Sequence, residues 1–284
     1  VAAKRQVTLR AQWIGKTFKE LRQRNGMTMQ EVAEYLGRDQ SSLSRFEAGI
    51  HPPRKDDVVA LMDLFGVDEE SQRQATLHMV GEVSKTGWWE KHAKDIGGGW
   101  FVDLLWLEER AEHMQLFGVA AVPGLLQTSG YAEALIKADD PKAAKQQVKR
   151  WVDLRIQRQQ VLDRESLTIS VVIDEAVLRR PVGGPQAMVS QVAHLANQAQ
   201  RDNIDIRVLP FAAGAHCGGA GSFRVIRMAE PFPTVAHIET PAGVLFAESE
   251  GAEELVDRYD RLHQGSLDAE ASMDFLHMLE RELR

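Results

Sequence analysis

The sequence predicts a mainly α-helical chain that becomes α+β in its C-terminal part, and three observations carry that prediction. Residues 28–49 have the spacing of two short helices bent around Gly37. Segments with the alternation of strands occur only after about residue 167, with helical segments before and after them, the order expected of an α+β domain. A length of 284 residues is enough for two domains, the second with a sizeable core of its own.

The first pair of helices is specified residue by residue. Thr28 and Glu31 have capping-box spacing, which satisfies two orphan N–H groups where the helix begins. Met29, Val32, Ala33 and Leu36 follow at i, i+3, i+4 and i+7, an apolar face. Ala33 is small where a crossing helix must approach, and Gly37 can take the left-handed backbone of a sharp turn. Asp39 caps the second helix, whose buried side is Leu43 and Phe46 and whose other side is Gln40, Ser41, Ser44 and Arg45. A purely structural helix more usually carries Glu and Lys pairs on its wet face. Here the groups are short or planar hydrogen-bonding side chains; Gln can pair bidentately with adenine and Arg with guanine. A helix-turn-helix kept only for protein docking is the other use of such a shape.

On these residues the first 66 or so positions resemble the Xre-type, lambda-repressor-like DNA-binding domains. The resemblance implies five helices, with helix one from about Ala11 to Arg24 (Ile14, Phe18 and Leu21 inward) and helix four from about Asp56 to Phe65 (Val58, Leu61, Met62 and Phe65 inward). It also implies an Arg22–Glu47 ion pair tying helix one to helix three. Gln40, Ser41 and Arg45, with Ser44 on the same face, would meet base edges; Thr28, Ser42, His51, Arg54 and Lys55 would lie near phosphates. The chain departs from the family pattern at Met29, often a phosphate-contacting Gln, and at Ala48, often polar.

Charge is divided in the same way. Residues 1–66 carry a net +3 and the remaining 218 a net −10. Positive charge therefore lies where phosphate would be met, yet so few cations bind DNA weakly from one copy. Two copies on half-sites about one helical turn, roughly 34 Å, apart would double the contacts, so a homodimer on double-stranded DNA is expected. One cysteine excludes an intramolecular disulfide and a Cys-rich zinc site. No apolar run is long enough for a membrane span, and Lys4, Arg5 and Arg10 have no apolar run behind them, unlike a secretory signal. The expectation is a cytoplasmic protein with no membrane partner.

Past Phe65 a fifth helix is expected through about Gly81, with Asp68 as its cap, so that a DNA-binding domain spans 1–80 and a second domain spans 81–284. Gly87, Trp88 and Trp89 open the second, Gly97 to Gly99 interrupt it, and Trp100 to Gln115 reads as an apolar helix. A short helix ends near Lys137, and a longer one starts at Asp139-Asp140-Pro141 and runs to about Arg164, Pro141 suiting its first turn. Leu167 to Ile173, Ile204 to Leu209, Ser222 to Met228, Thr234 to Glu239 and Val244 to Phe246 suggest a sheet of about five strands. Helices from about Gln186 to Arg201, Ala252 to His263 and Asp268 to Arg284 complete the chain.

Gly87-Trp-Trp, Val122-Pro-Gly-Leu-Leu-Gln-Thr, Asp174-Glu-Ala-Val-Leu-Arg-Arg-Pro-Val-Gly-Gly and Val208-Leu-Pro-Phe-Ala-Ala-Gly-Ala-His stand in the order found in actinobacterial WhiJ-like regulators, which this part of the chain resembles. The resemblance implies a transcriptional regulator, often antitoxin-like and often encoded beside a small partner protein. Two readings stay open: a regulator whose second domain receives a signal, and an antitoxin-like protein that holds a small partner and uses DNA binding for autoregulation.

Neither reading requires an enzyme or a cofactor. Cys217 beside His216 is the candidate nucleophile, but adjacent residues seldom face each other as nucleophile and base must. Asp174 and Glu175 with Arg179 and Arg180 are more simply ion pairs on a short helix. His237 and Glu239 share a strand face without a nameable third metal ligand. The tryptophans at 88, 89, 100, 106 and 151 suit core anchoring better than base stacking. Lys142, Lys145, Lys149, Arg150, Arg155, Arg158 and Arg164 make the middle helix basic, either as a solvated face or as a docking surface for an acidic partner. Lys145, Lys149 and Arg155, with His216 on the Gly214–Gly221 loop as a rim, are the candidates for that surface.

Overall fold

The computed structural model describes residues 8–51, 53–85, 87–89, 99–240 and 242–284. Its internal contacts divide the chain into a unit running to Trp106 with Glu230–Phe232, and a unit of Leu107–Ala229 with Pro233–Arg284. The expected interruption at Gly97 and Gly98, and the basic N-terminal residues Lys4 and Arg5, lie outside the described residues.

The first unit contains helices α1 (Leu9–Arg24), α2 (Met29–Tyr35), α3 (Gln40–Glu47), α4 (Lys55–Leu64) and α5 (Glu70–Ser84). Thr8 starts α1 by accepting the Ala11 N–H, and the Thr28/Glu31 capping box starts α2. Gly37 takes φ +62° at the turn between α2 and α3. Phe18 and Phe46 bring α1 and α3 together with ring centroids 5.4 Å apart over a core that includes Ile14, Val32, Leu43, Val58, Leu61 and Met62. Gly15 is dictated by that approach: a Cβ there would lie 2.4 Å from the Glu47 carbonyl oxygen. Asp68 is not the cap of α5. Glu69 occupies the N-cap without a side-chain bond, so this start lacks the local signal that marks α2 and α3. Trp13 meets Trp106 edge to face at 5.9 Å, and both meet Phe232, anchoring a second aromatic cluster in this unit.

Helix α6 (Gly99–Arg110) leads directly into strand β1 (Ala111–Gly118). The expected helix to Gln115 is thus corrected: it stops at Arg110, and the next eight residues are a strand. The sheet consequently has six strands: β1, β2 (Thr168–Asp174), β3 (Ile204–Leu209), β4 (Phe223–Met228), β5 (Val235–Thr240) and β6 (Gly243–Glu248). Their order is β3-β2-β1-β4-β5-β6, with β1 parallel to β2 and β2 to β3, and antiparallel pairing from β1 through β4 and β5 to β6. A central strand is buried on both faces, so Met114, Gln115, Leu116 and Phe117 are all buried and show no alternation of polarity.

Around the sheet lie α7 (Ser129–Asp139), α8 (Lys145–Arg158), α9 (Glu175–Arg179), α10 (Pro185–Gln198), α11 (Glu250–Gln264) and α12 (Ala269–Leu283). Pro141 is not in the first turn of α8. Asp140 accepts the Lys142 N–H in a separate turn, and the helix starts four residues later. Helix α11 covers one sheet face through Ala252, Tyr259 and Leu262, against Phe117, Val172, Leu209, Phe223, Val225 and Ala236. On the opposite face a single row crosses the sheet as Ile206, Val171, Leu116, Arg224, His237 and Phe246. That row is apolar until it reaches β4 and β5, where Arg224 and His237 replace aliphatic side chains. Among the described residues no helix is long and apolar enough to cross a membrane.

Candidate nucleic-acid interface

Helix α3 is held from below by Leu43 and Phe46, both buried, and this leaves Gln40, Ser41, Ser44 and Arg45 exposed on its other side. Asp39 organises the start of the helix. Its carboxylate accepts the Ser42 N–H and hydroxyl, both at 2.8 Å, and the Ser41 hydroxyl at 2.5 Å. Ser41 Oγ in turn accepts from Arg45 Nη2 at 2.7 Å, and Arg45 Nε donates to the Ser41 carbonyl at 3.2 Å. Arg45 and Ser41 are therefore pre-aligned as one hydrogen-bonding unit, whereas the side chains of Gln40 and Ser44 have no partner among the described residues.

Those hydrogen bonds from Ser41 and Ser42, helped by the nearby Arg45 charge, hold the Asp39 carboxyl well below the ordinary carboxylate range. A depressed folded pKa contributes stability that is complete above the unfolded value and is lost as pH falls through the folded one. The stability difference between wild type and Asp39→Asn should thus be constant at neutral pH and shrink in acid, beginning near the ordinary carboxylate pKa. Chemical denaturation across an acid pH series checks this, and a difference that grows in acid would contradict it.

Thr28, His51, Arg54 and Lys55 are exposed and Ser42 is half-buried. Two of these hydroxyls already have internal work. Thr28 Oγ1 accepts the Glu31 N–H at 3.2 Å, and Ser42 Oγ donates to Asp39. Arg54 is the N-cap of α4 without a side-chain bond, leaving its guanidinium at the helix start.

Two ion pairs frame the helix pair. Arg22 Nε and Nη2 donate to Glu47 Oε1 and Oε2 at 2.6 and 2.9 Å, with both residues buried and Arg22 Nη1 bonded to the Met27 carbonyl. The Glu47 hydrogen bond is the main reason that the Arg22 pKa is raised. Arg38 donates from Nη2 to both oxygens of Asp57, at 3.1 and 3.0 Å, tying the turn after α2 to α4. The second pair was not anticipated; only Arg38 and Asp57, 19 residues apart and each beside another charged residue, hinted at it. Glu47→Ala should cost about 3 kcal/mol, because it strands a buried guanidinium. A thermal melt matching wild type would count against that.

A family model described as a helix-turn-helix domain matches residues 13–75, and one described as a domain of unknown function, DUF5753, matches residues 101–278. The chain belongs to the DUF5753 family. No curated protein and no solved structure matches it. The helix-turn-helix domain indicates DNA binding and transcription regulation, and points to a regulator rather than an enzyme.

In the second unit of this DUF5753 protein the four candidates for a partner surface separate. Lys145 and Lys149 are exposed on α8, whereas Arg155 is half-buried and donates from Nη1 to Gln127 Oε1 at 2.9 Å. His216 belongs to a different cluster, at the C-terminal end of β2. Its Nε2 lies 3.3 Å from Asp174 Oδ2, and its Nδ1 accepts the Gly218 N–H at 3.2 Å. Both ring nitrogens are thereby committed, and the Cys217 thiol donates instead to the Arg258 carbonyl at 3.4 Å. The nucleophile-to-base bond that a thiol mechanism requires is not formed. Asp174 also caps α9 through the Ala176 N–H, and Glu175 pairs with Arg179 at 2.6 Å.

The largest feature missed in the sequence is a buried charge cluster. Glu108, 1 % exposed, accepts from Arg158 Nε at 2.5 Å, bonds Arg158 Nη2, and lies 3.4 Å from Arg224 Nη1. Arg224 Nη2 donates to Glu239 at 2.8 Å. In the sequence Arg158 is only one of the basic residues of the middle helix. The legible signal is Glu108 itself, an acid that directly follows the apolar run Leu104-Leu105-Trp106-Leu107 on the same helix. Next to it, His237 stays neutral: burial, then the Arg224 and Arg158 charges, push its pKa down to about 2.

Proposed function

We propose that this DUF5753 protein is a sequence-specific DNA-binding transcriptional regulator that acts as a homodimer on an inverted repeat. The observation that carries the reading is the exposed polar face of α3, where Gln40, Ser41, Ser44 and Arg45 project beside a capped and internally braced start. A recognition helix enters the major groove with its N-terminal residues toward base edges. Gln40 and Ser41 occupy that end, and Arg45 reaches one turn further. Thr28, Ser42, His51, Arg54 and Lys55 supply phosphate contacts around it.

In this proposal residues 1–80 read DNA and residues 81–284 receive a signal or a small partner protein, in keeping with the resemblance to Xre-type and WhiJ-like regulators. The net charges of +3 on residues 1–66 and −10 beyond them support the same division, since only the first part suits a polyanion. Selection of genomic fragments by the full-length protein tests the reading, followed by titration of the selected duplex against scrambled competitors. An inverted repeat with half-sites about one helical turn apart, bound by two chains, is the expected result. Equal affinity for selected and scrambled duplexes would overturn it.

A further inference from the structure

Three guanidiniums gather at the β4 end of the cross-sheet row, and one of them, Arg155, has no ion pair. Arg155 and Arg158 come from α8, Arg224 from β4, and His237 from the adjacent position on β5. Glu108 and Glu239 form ion pairs in this group, and the exposed Asp139 acts on Arg155 through its charge without an ion pair. Glu108 is shared by Arg158 and Arg224, and Glu239, about half exposed, takes the other side of Arg224. Arg155 has only the neutral Gln127 amide. Its other N–H groups have no partner among the described residues, and the side chain is only partly covered.

The local field is positive from several vantage points. Burial, then the charges of Arg158 and Arg224, push the Arg155 pKa down to about 10 against the opposing charges of Glu239 and Asp139. Burial and Arg158 lower that of Arg224, and the same two arginines oppose a proton on His237. Arginine does not give up its proton in proteins, so the strain is relieved by a counter-charge and not by neutralisation. A planar guanidinium fork with open donors presents the geometry that carboxylate and phosphate oxygens match.

We propose that Arg155, backed by Arg158 and Arg224, binds the carboxylate or phosphate group of a small-molecule ligand of the second unit. The site goes beyond the DNA-reading proposal and does not depend on it, because it is tested by binding to the protein without DNA. Lys145 and Lys149 lie exposed elsewhere along α8 and are not part of this arginine cluster.

The test is calorimetric titration of the full chain with inorganic phosphate and, separately, with succinate, each against sodium chloride at matched ionic strength. Saturable binding of either is expected, and which one binds identifies the ligand's acid group. Arg155→Gln should weaken that binding by about tenfold or more, as the loss of a charge-assisted hydrogen bond predicts. Arg155→Lys should retain part of it, and Lys149→Gln should leave it unchanged. Circular dichroism melts in chloride should show Arg155→Gln folded and about as stable as wild type, since it removes a half-buried charge that holds no ion pair. Absence of saturable binding by both anions, or equal binding by wild type and Arg155→Gln, would overturn the proposal.

Discussion

Glu108→Gln is expected to destabilise the second unit by about 3–5 kcal/mol, the range for stranding a buried partner charge. The substitution keeps the shape and one acceptor oxygen of the side chain but removes the negative charge. Two guanidiniums then remain on one side of the sheet: Arg158, whose side chain is 5 % exposed, and Arg224, whose side chain is 17 % exposed. Arg224 keeps Glu239, which at 53 % exposure is well solvated and screens less than a buried acid would. Arg158 loses the bidentate pairing that brought it inward. Equilibrium urea denaturation, followed at a signal from the second unit, should show a lower midpoint with an unchanged slope. A midpoint equal to that of wild type would show that water or a side-chain shift replaces the carboxylate. Glu108→Asp should be milder, because the charge remains and only the reach shortens.

Gln40→Ala and Arg45→Ala should each weaken binding to the selected duplex by about five- to 150-fold, the worth of one bidentate base contact, while changing affinity for scrambled DNA far less. The two should differ in salt dependence. Arg45→Ala removes a cation near the duplex and should reduce the salt slope, whereas Gln40→Ala should leave it unchanged. Both side chains are exposed, and neither contributes to the core formed by Leu43 and Phe46, so melting temperatures should stay close to wild type. Electrophoretic or fluorescence titrations at two salt concentrations measure all of this. If both variants bind the selected duplex as wild type does, α3 is not the reading element. In cells the double variant also separates the two modes of action considered from the sequence. A regulator loses its phenotype with DNA binding, whereas an antitoxin-like protein keeps it through its partner.

The helix-turn-helix was legible because its information is local. Thr28 and Glu31, Gly37, Asp39 and the apolar spacing from Met29 to Leu36 act within a few residues of chain, and the observed caps and turn use those same groups. Strands β2 to β6 were legible from alternation or β-branched content. Strand β1 was not. Its residues continue the apolar pattern of α6 with no Gly, Pro or Asn at the junction, and only neighbours on both edges make a strand of them. The Pro141 and Asp68 expectations failed for a related reason. Each residue is compatible with a helix start, but the choice among neighbouring starts depends on what the first turn packs against.

The amino-acid sequence by itself determined where the helix-turn-helix lies, which side of α3 is polar, how charge divides along the chain, and that an α+β part follows. These follow from spacing, capping and composition, which act over short distances along the chain. Only the tertiary structure decided that β1 sits in the centre of the sheet, that Asp174 turns to His216, and that Glu108 gathers Arg158 and Arg224. The three residue pairs, Asp174–His216, Glu108–Arg158 and Glu108–Arg224, lie 42, 50 and 116 residues apart. A charged side chain carries no mark of its partner; the pairing is imposed by burial, which makes an unpaired charge too costly to keep.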